Sequence, residues 1–414
     1  MTAPARLGAG RWIEAAAEPA RTTTTAHELT TADGARVTGL LRTVPGARTV
    51  VCIMHPRQDV SHHVLVPELL ARGYAVWTQG SRSVNNDLSL VHEQTLLDVA
   101  AGQVHLREQG FQHVVTLGHS GGGTLFAYYH EQAGLDDDQR VSSTPAGRPV
   151  DLTGAMPLPD AAVFMAPHPG QGVLLSRLVD PSVTDESDPL SVDPDLDPWS
   201  PANGFAAPGT SASYDPAFVE RYRAAQLARV ARIDEHAAAL VQEATTARAR
   251  AADGGDPRDR RASLAPRVLT VFRTDADLRS VDLSLDPNER PYGSLFGRRP
   301  DLTDYGLVGF GRFSTADAWM STWSVTTSRA DFLRCAPSVT VPTLLVELSG
   351  DQACFPSDVA AMTARLGAAD LTTRRVRGTH FGGPIGTGEP TGASLAAAEI
   401  GGWLADRFPA GQPG

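Results

Sequence analysis

No stretch of 18 consecutive apolar residues occurs in the 414-residue chain, so no segment reads as a membrane-spanning helix. The opening MTAPARLGAGRWIEAAAEPAR carries charges where a secretory apolar core would lie, so no signal peptide is expected and the anticipated compartment is cytoplasmic. Cysteine is scarce. Cys52, Cys335 and Cys354 are odd in number and widely spaced, which fits reduced thiols and excludes both a disulfide framework and a CxxC metal site. Positive charge is also short: the formal net charge is −11, the wrong sign for neutralising phosphates, so a nucleic-acid partner is not expected. What the chain has is 42% hydrophobic residues, enough for a substantial core.

Those residues fall in an alternating pattern. HELTTADGARVTGLLRTV reads as two strands around an Asp33-Gly34 turn, a hairpin at a sheet edge. TVVCIM (49–54) is too short for a helix and rich in β-branched residues, hence a buried strand ending at His55-Pro56. A helix over 61–72, a strand over 74–77 and an amphipathic helix over 90–109 follow, then a strand from His113 and another at DAAVFM (160–165). This alternation implies a mostly parallel α/β sheet covered by helices on both faces.

The alternation then stops. Residues 167–215 are dense in Pro, Asp, Ser and Gly and read as irregular; their aspartates lack the spacing of a calcium loop. Helical spacing over 216–252 gives one long helix or a hairpin, halted by DGGDP. VLTVF (268–272) reads as a strand, 280–299 as irregular, and 315–332 as a helix carrying Trp319 and Trp323 on one side. Strand, helix, strand, helix resume at 343–347, 359–366, 371–376 and 394–408. The expected organisation is an α/β core over 1–166 and 339–414, interrupted after its sixth sheet strand by a mainly helical insertion over 167–338. That is too long for a structureless loop, so it is read as a folded lid.

The chemistry centres on Gly118-His119-Ser120-Gly121-Gly122, a G-x-S-x-G between a strand and a helix start. A glycine-rich chain produces such a pentapeptide by chance often enough that its context decides. A strand-to-helix turn is where a nucleophilic serine stands exposed above a sheet. A serine hydroxyl needs an imidazole to take its proton and a carboxylate to orient that imidazole. LSGD places Asp351 at the end of the 343–347 strand, and GTHFG places His380 after the 371–376 strand. The chain order Ser120, Asp351, His380 matches one known arrangement of such a triad. His62-His63 has no further ligand at a recognisable spacing, so no metal is expected.

With GHSGG, SGDQACFP and GTHFGG in these places, the chain resembles the α/β-hydrolase fold serine hydrolases that carry a large cap, over about residues 27–166 and 340–408. The resemblance implies Ser120 as nucleophile, Asp351 as acid and His380 as base, with no cofactor. The usual His-Gly after the third strand is here His55-Pro56-Arg57, and Pro56 has no N–H. The oxyanion donors expected are therefore the backbone N–H groups of Gly121 and Arg57. His55, Trp319 and Trp323 are candidate substrate contacts, with cap core the blander place for the two tryptophans. The expected activity is cleavage of a carboxylic ester, lactone or related small acyl compound through an acyl-enzyme on Ser120. Acyl transfer and carbon–carbon bond hydrolysis use the same triad, and a silent ligand-binding scaffold is the alternative from another class.

Overall fold

A computed structural model describes residues 15–411; the expectation about a leader segment falls largely on positions outside the described residues. β1 (Thr23–Thr30) and β2 (Arg36–Thr43) pair antiparallel about a turn in which Gly34 takes φ +82°, a conformation that favours glycine. β3 (Thr49–Met54), β4 (Ala75–Gln79), β5 (His113–His119) and β6 (Ala161–Met165) follow. The chain then leaves the sheet and forms a separate two-stranded pair, β7 (Val268–Thr270) with β8 (Phe313–Thr315), before returning as β9 (Thr343–Gly350) and β10 (Leu371–Thr379). The large sheet has the order β1-β2-β4-β3-β5-β6-β9-β10, with β2 antiparallel to β4 and every pair from β4 to β10 parallel. An antiparallel edge followed by a parallel sheet whose order reverses at β3 is the topology of the α/β-hydrolase fold.

The strands read as continuous apolar runs because both faces are covered. In β3 the side chains alternate: Cys52 and Met54 join one core with Phe126, Phe164 and Phe332, while Val51 and Ile53 join the other with Leu69, Val115 and Ile400. α2 (His92–Glu108) and α3 (Gly121–Ala133) lie on the first face; α1 (Val66–Ala71) and the closing helix Gly392–Ala405 lie on the second.

The excursion after β6 holds α4 (Gln171–Leu178), α5 (Pro216–Ala252) and α6 (Pro257–Leu264), with its own core. α5 is one 37-residue helix capped by the Asp215 side chain. Its inward residues Phe218, Tyr222, Gln226, Val230, Ile233 and Ala237 recur every three or four positions.

Several elements differ from their sequence reading. α1 is six residues, not twelve; His63 forms a turn ahead of it and Pro67 sits in its first turn, where a proline is tolerated. α4 lies inside the stretch read as irregular. Pro257 does not only stop α5 but starts α6, whose cap is the Asp256 carboxylate. The helix expected over 315–332 survives only as Ala316–Ala318 and a π-helical turn, Trp319–Trp323. There the Ser324 hydroxyl accepts from the N–H groups of Thr326 and Thr327, while Thr327 and Ser328 donate to the carbonyls of Met320 and Ser321. Such local bonds offer the backbone an alternative to the helix. The 268–272 strand is shorter than read and pairs with a strand, β8, that the sequence did not mark.

Candidate active site

The turn from β5 into α3 requires close approach of backbones. A β-carbon on Gly118 would lie 2.6 Å from the backbone of Gly122 and Gly123, and one on Gly122 would lie 2.4 Å from the Met54 carbonyl oxygen. Between them Ser120 takes φ 55° and ψ −123°, a strained conformation for a residue with a β-carbon. Its N–H donates to the Met165 carbonyl at 3.2 Å, tying the turn to β6.

The three residues singled out in the sequence come together at the carboxyl ends of β5, β9 and β10. His380 Nε2 lies 2.9 Å from Ser120 Oγ, and His380 Nδ1 lies 2.8 and 2.9 Å from the two Asp351 carboxylate oxygens. Asp351 Oδ1 also accepts from the N–H groups of Ala353 and Cys354 at 2.7 and 2.9 Å, so its carboxylate is oriented from both sides. Ser120, Asp351 and His380 are 8%, 1% and 1% exposed. The excursion after β6 reaches this loop: Asn288 donates to the Asp351 carbonyl at 2.8 Å, and Glu289 N–H donates to the Ser349 carbonyl at 2.8 Å.

A chain of imidazoles backs the His380 loop. His119 Nε2 donates to the His380 carbonyl at 2.8 Å, which leaves His119 Nδ1 to accept from His63 Nε2 at 2.9 Å. His63 Nδ1 in turn accepts from Leu65 N–H at 3.3 Å. This ordering requires both rings to be neutral, and burial holds both below the usual histidine range, His63 at about 4.

The Arg57 N–H, expected to face the oxyanion, instead donates to His55 Nδ1 at 3.1 Å, and the Gln58 N–H joins it at 2.9 Å. The His55 ring is the local acceptor that captures it. The Arg57 guanidinium pairs with Asp87 through bonds of 2.6 and 2.9 Å and lies over Phe310 and Trp323, 5.1 and 5.8 Å from the ring centroids. Trp323 thus meets the core through Arg57. Trp319 does not reach the site: it is fully buried in the core of the excursion, where its indole N–H donates to Asp234 at 2.7 Å. His55 lies against Gly121, the first residue of α3.

Two site residues escaped the sequence reading. His168 and Gln171 also crowd Gly121, yet they fall just after β6, in the stretch read as irregular. The His168 carbonyl accepts from Thr124 Oγ1 of α3 at 2.8 Å, and its Nδ1 accepts from Gly170 N–H at 3.1 Å. The available signal was position: both follow closely the carboxyl end of a sheet strand, where such folds place their sites. No group of His, Cys, Asp and Glu among the described residues is arranged to hold a metal ion. No described helix is long and apolar enough to cross a membrane.

No family model and no curated protein matches the sequence. Solved structures with a similar course of the chain include DcsB in complex with its substrate analogue, at 13% identity and a TM-score of 0.47, covering 93% of this chain and 100% of that one. The α/β hydrolase GrgF from Penicillium sp. sh18 is similar at 13% identity and 0.45, covering 92% and 98%. The Pyrococcus furiosus esterase Pf2001 is similar at 11% and 0.41, covering 93% and 92%.

Proposed function

We propose that this chain is a serine hydrolase that cleaves a small carboxylic ester, lactone or related acyl compound through an acyl-enzyme on Ser120. The observation that carries the reading is the unbroken line of contacts from Ser120 Oγ to His380 Nε2 and from His380 Nδ1 to Asp351. In this reading His380 takes the Ser120 proton as the hydroxyl attacks the carbonyl, then returns it to the leaving group. Asp351 fixes the tautomer that presents an unprotonated Nε2 to the serine. The same imidazole then draws a proton from water, and the resulting hydroxide releases the acid and restores Ser120. The N–H of Gly121, at the head of α3, is the backbone donor for the oxygen that gains charge, aided by the partial positive charge of the helix end. With Ser120 nearly enclosed, substrate enters only as covering segments part, and the chemistry proceeds away from bulk water.

The organisation into a core over 1–166 and 339–414 and a cap over 167–338 belongs to this proposal, with the Asn288–Asp351 and Glu289–Ser349 bonds as the links through which the cap meets the acid. The test is reaction with a fluorophosphonate probe: covalent labelling of the folded wild type, absent in Ser120→Ala, supports the reading. A folded wild type that resists labelling favours a silent binding scaffold instead. Turnover of p-nitrophenyl esters in water, with no alcohol or thiol acceptor present, separates hydrolysis from acyl transfer.

A further inference from the structure

An oxyanion forming on a carbonyl needs at least two fixed donors, and the backbone here offers one. Pro56 has no N–H, and the next two N–H groups both point at His55 Nδ1. The space beside Gly121 is filled by side chains instead. A β-carbon on Gly121 would lie 2.8 Å from His55 Nε2, 2.8 Å from Gln171 Nε2 and 3.0 Å from His168 Nε2. Three nitrogens from two separate segments, one after β3 and one after β6, thus converge on the first turn of α3, next to the serine.

The hydrogen bonds fix what these nitrogens present. His55 Nδ1 accepts two backbone N–H groups and His168 Nδ1 accepts one, so in each ring the proton sits on Nε2 and faces Gly121. Both rings are buried. Burial, reinforced for His55 by the Arg57 charge and for His168 by His380, keeps them neutral, with His168 lowered to about 3. Neutrality suits the place. His380 must become an imidazolium during the reaction, and a second cation beside it would oppose that step. Gln171 is 2% exposed, and its side-chain amide lies against the His92 ring without a hydrogen bond of good geometry.

Building on the serine-hydrolase reading, we propose that His168 Nε2–H, together with His55 Nε2–H, donates to the substrate oxyanion beside Gly121 N–H. The second arm of the oxyanion hole is then imidazole where backbone is usual. As Ser120 Oγ bonds to the carbonyl carbon, the π electrons move onto the carbonyl oxygen and the hydroxyl proton passes to His380 Nε2. His55 and His168 keep their protons and only donate hydrogen bonds. Gln171 offers its NH2 end to the same oxygen or to a polar atom next to it on the acyl group.

The experiment is the rate of Ser120 phosphonylation by a fluorophosphonate, whose P=O oxygen occupies the oxyanion position, in wild type, His168→Ala and His168→Gln. The limiting rate is expected to fall about 100-fold in His168→Ala while the concentration giving half that rate changes little. His168→Gln, which returns an N–H at similar reach, recovers part of the loss. Thermal melts identify folded variants, and His168→Gln alone carries the comparison should the alanine variant not fold. A limiting rate equal to wild type in a folded variant, or a loss confined to the half-saturating concentration, overturns the imidazole arm and leaves the hydrolase reading intact. A wild type that is not labelled overturns the hydrolase reading itself.

Discussion

At Ser120 the strained backbone and the chemistry reside in one residue. Its φ of 55° with ψ of −123° is a conformation glycine holds at little cost and other residues hold at about 1–3 kcal/mol. Ser120→Ala and Ser120→Gly both lose the bond to His380 and should both be inactive. Chemical denaturation is expected to find Ser120→Gly the more stable of the two by about 1 kcal/mol, because relief of strain outweighs the added chain entropy of glycine. Equal stabilities would mean that the turn stores no strain. Asp351→Asn keeps the shape of the site but presents an amide to His380 Nδ1, favouring the wrong tautomer. The expected loss in turnover is roughly 10⁴-fold, read from ester hydrolysis at saturating substrate. Ser120, Asp351 and His380 were legible in the sequence because each follows a strand in an informative order. His55 was legible only as a histidine near the site, and the capture of the Arg57 N–H by its ring was not legible at all. A backbone N–H has no sequence signature, and its partner is chosen by a side-chain rotamer.

Among the elements, the strands of the sheet were the most legible, since burial on both faces leaves short β-branched and apolar runs with little ambiguity. α4 was not. Its sequence QGVLLSRL starts with a polar residue and a glycine and lasts eight residues, too short for a period to stand out among neighbouring prolines. Its start is set by packing: a β-carbon on Gly172 would lie 2.5 Å from the Ser324 carbonyl oxygen and 2.7 Å from its carbon. Gly172→Ala must therefore push α4 away from the 324–325 backbone and carry Gln171 with it. The expected result is a loss of about 1–3 kcal/mol in stability, seen as a lower melting temperature, with slower labelling of Ser120 although no chemical group is removed. Unaltered melting and labelling would show that α4 is not held by this contact. The broken 315–332 segment carries the same lesson: apolar spacing suggested a helix, and hydroxyls bonding back to the chain won.

Across the whole molecule, the mostly parallel character of the sheet followed from the alternation of strands and helices, whereas the order of its strands and the interior distribution of histidine did not. Six histidines, the buried His55, His92, His130 and His168 and the half-buried His63 and His119, are held below their ordinary range, chiefly by desolvation. Each binds a proton in the unfolded chain below about pH 6.5 but not in the folded one, so stability is present above that pH and is lost as pH falls through it. Four buried carboxyls act the other way: burial raises Asp98 to about 6, and raises Asp180, Glu93 and Asp275 as well. Between pH 5 and 6 the histidines outnumber them, so denaturant midpoints are expected to fall from pH 7 to pH 5; a flat or rising profile would contradict the neutral-imidazole interior. The central claim, that Ser120 is acylated with His380 as its base, is tested most directly by intact-mass measurement after mixing with p-nitrophenyl acetate and quenching in acid. The expected result is a gain of one acetyl group per chain, mapped to the Ser120 peptide, and none in Ser120→Ala. Release of p-nitrophenol at the wild-type rate by folded Ser120→Ala would contradict it.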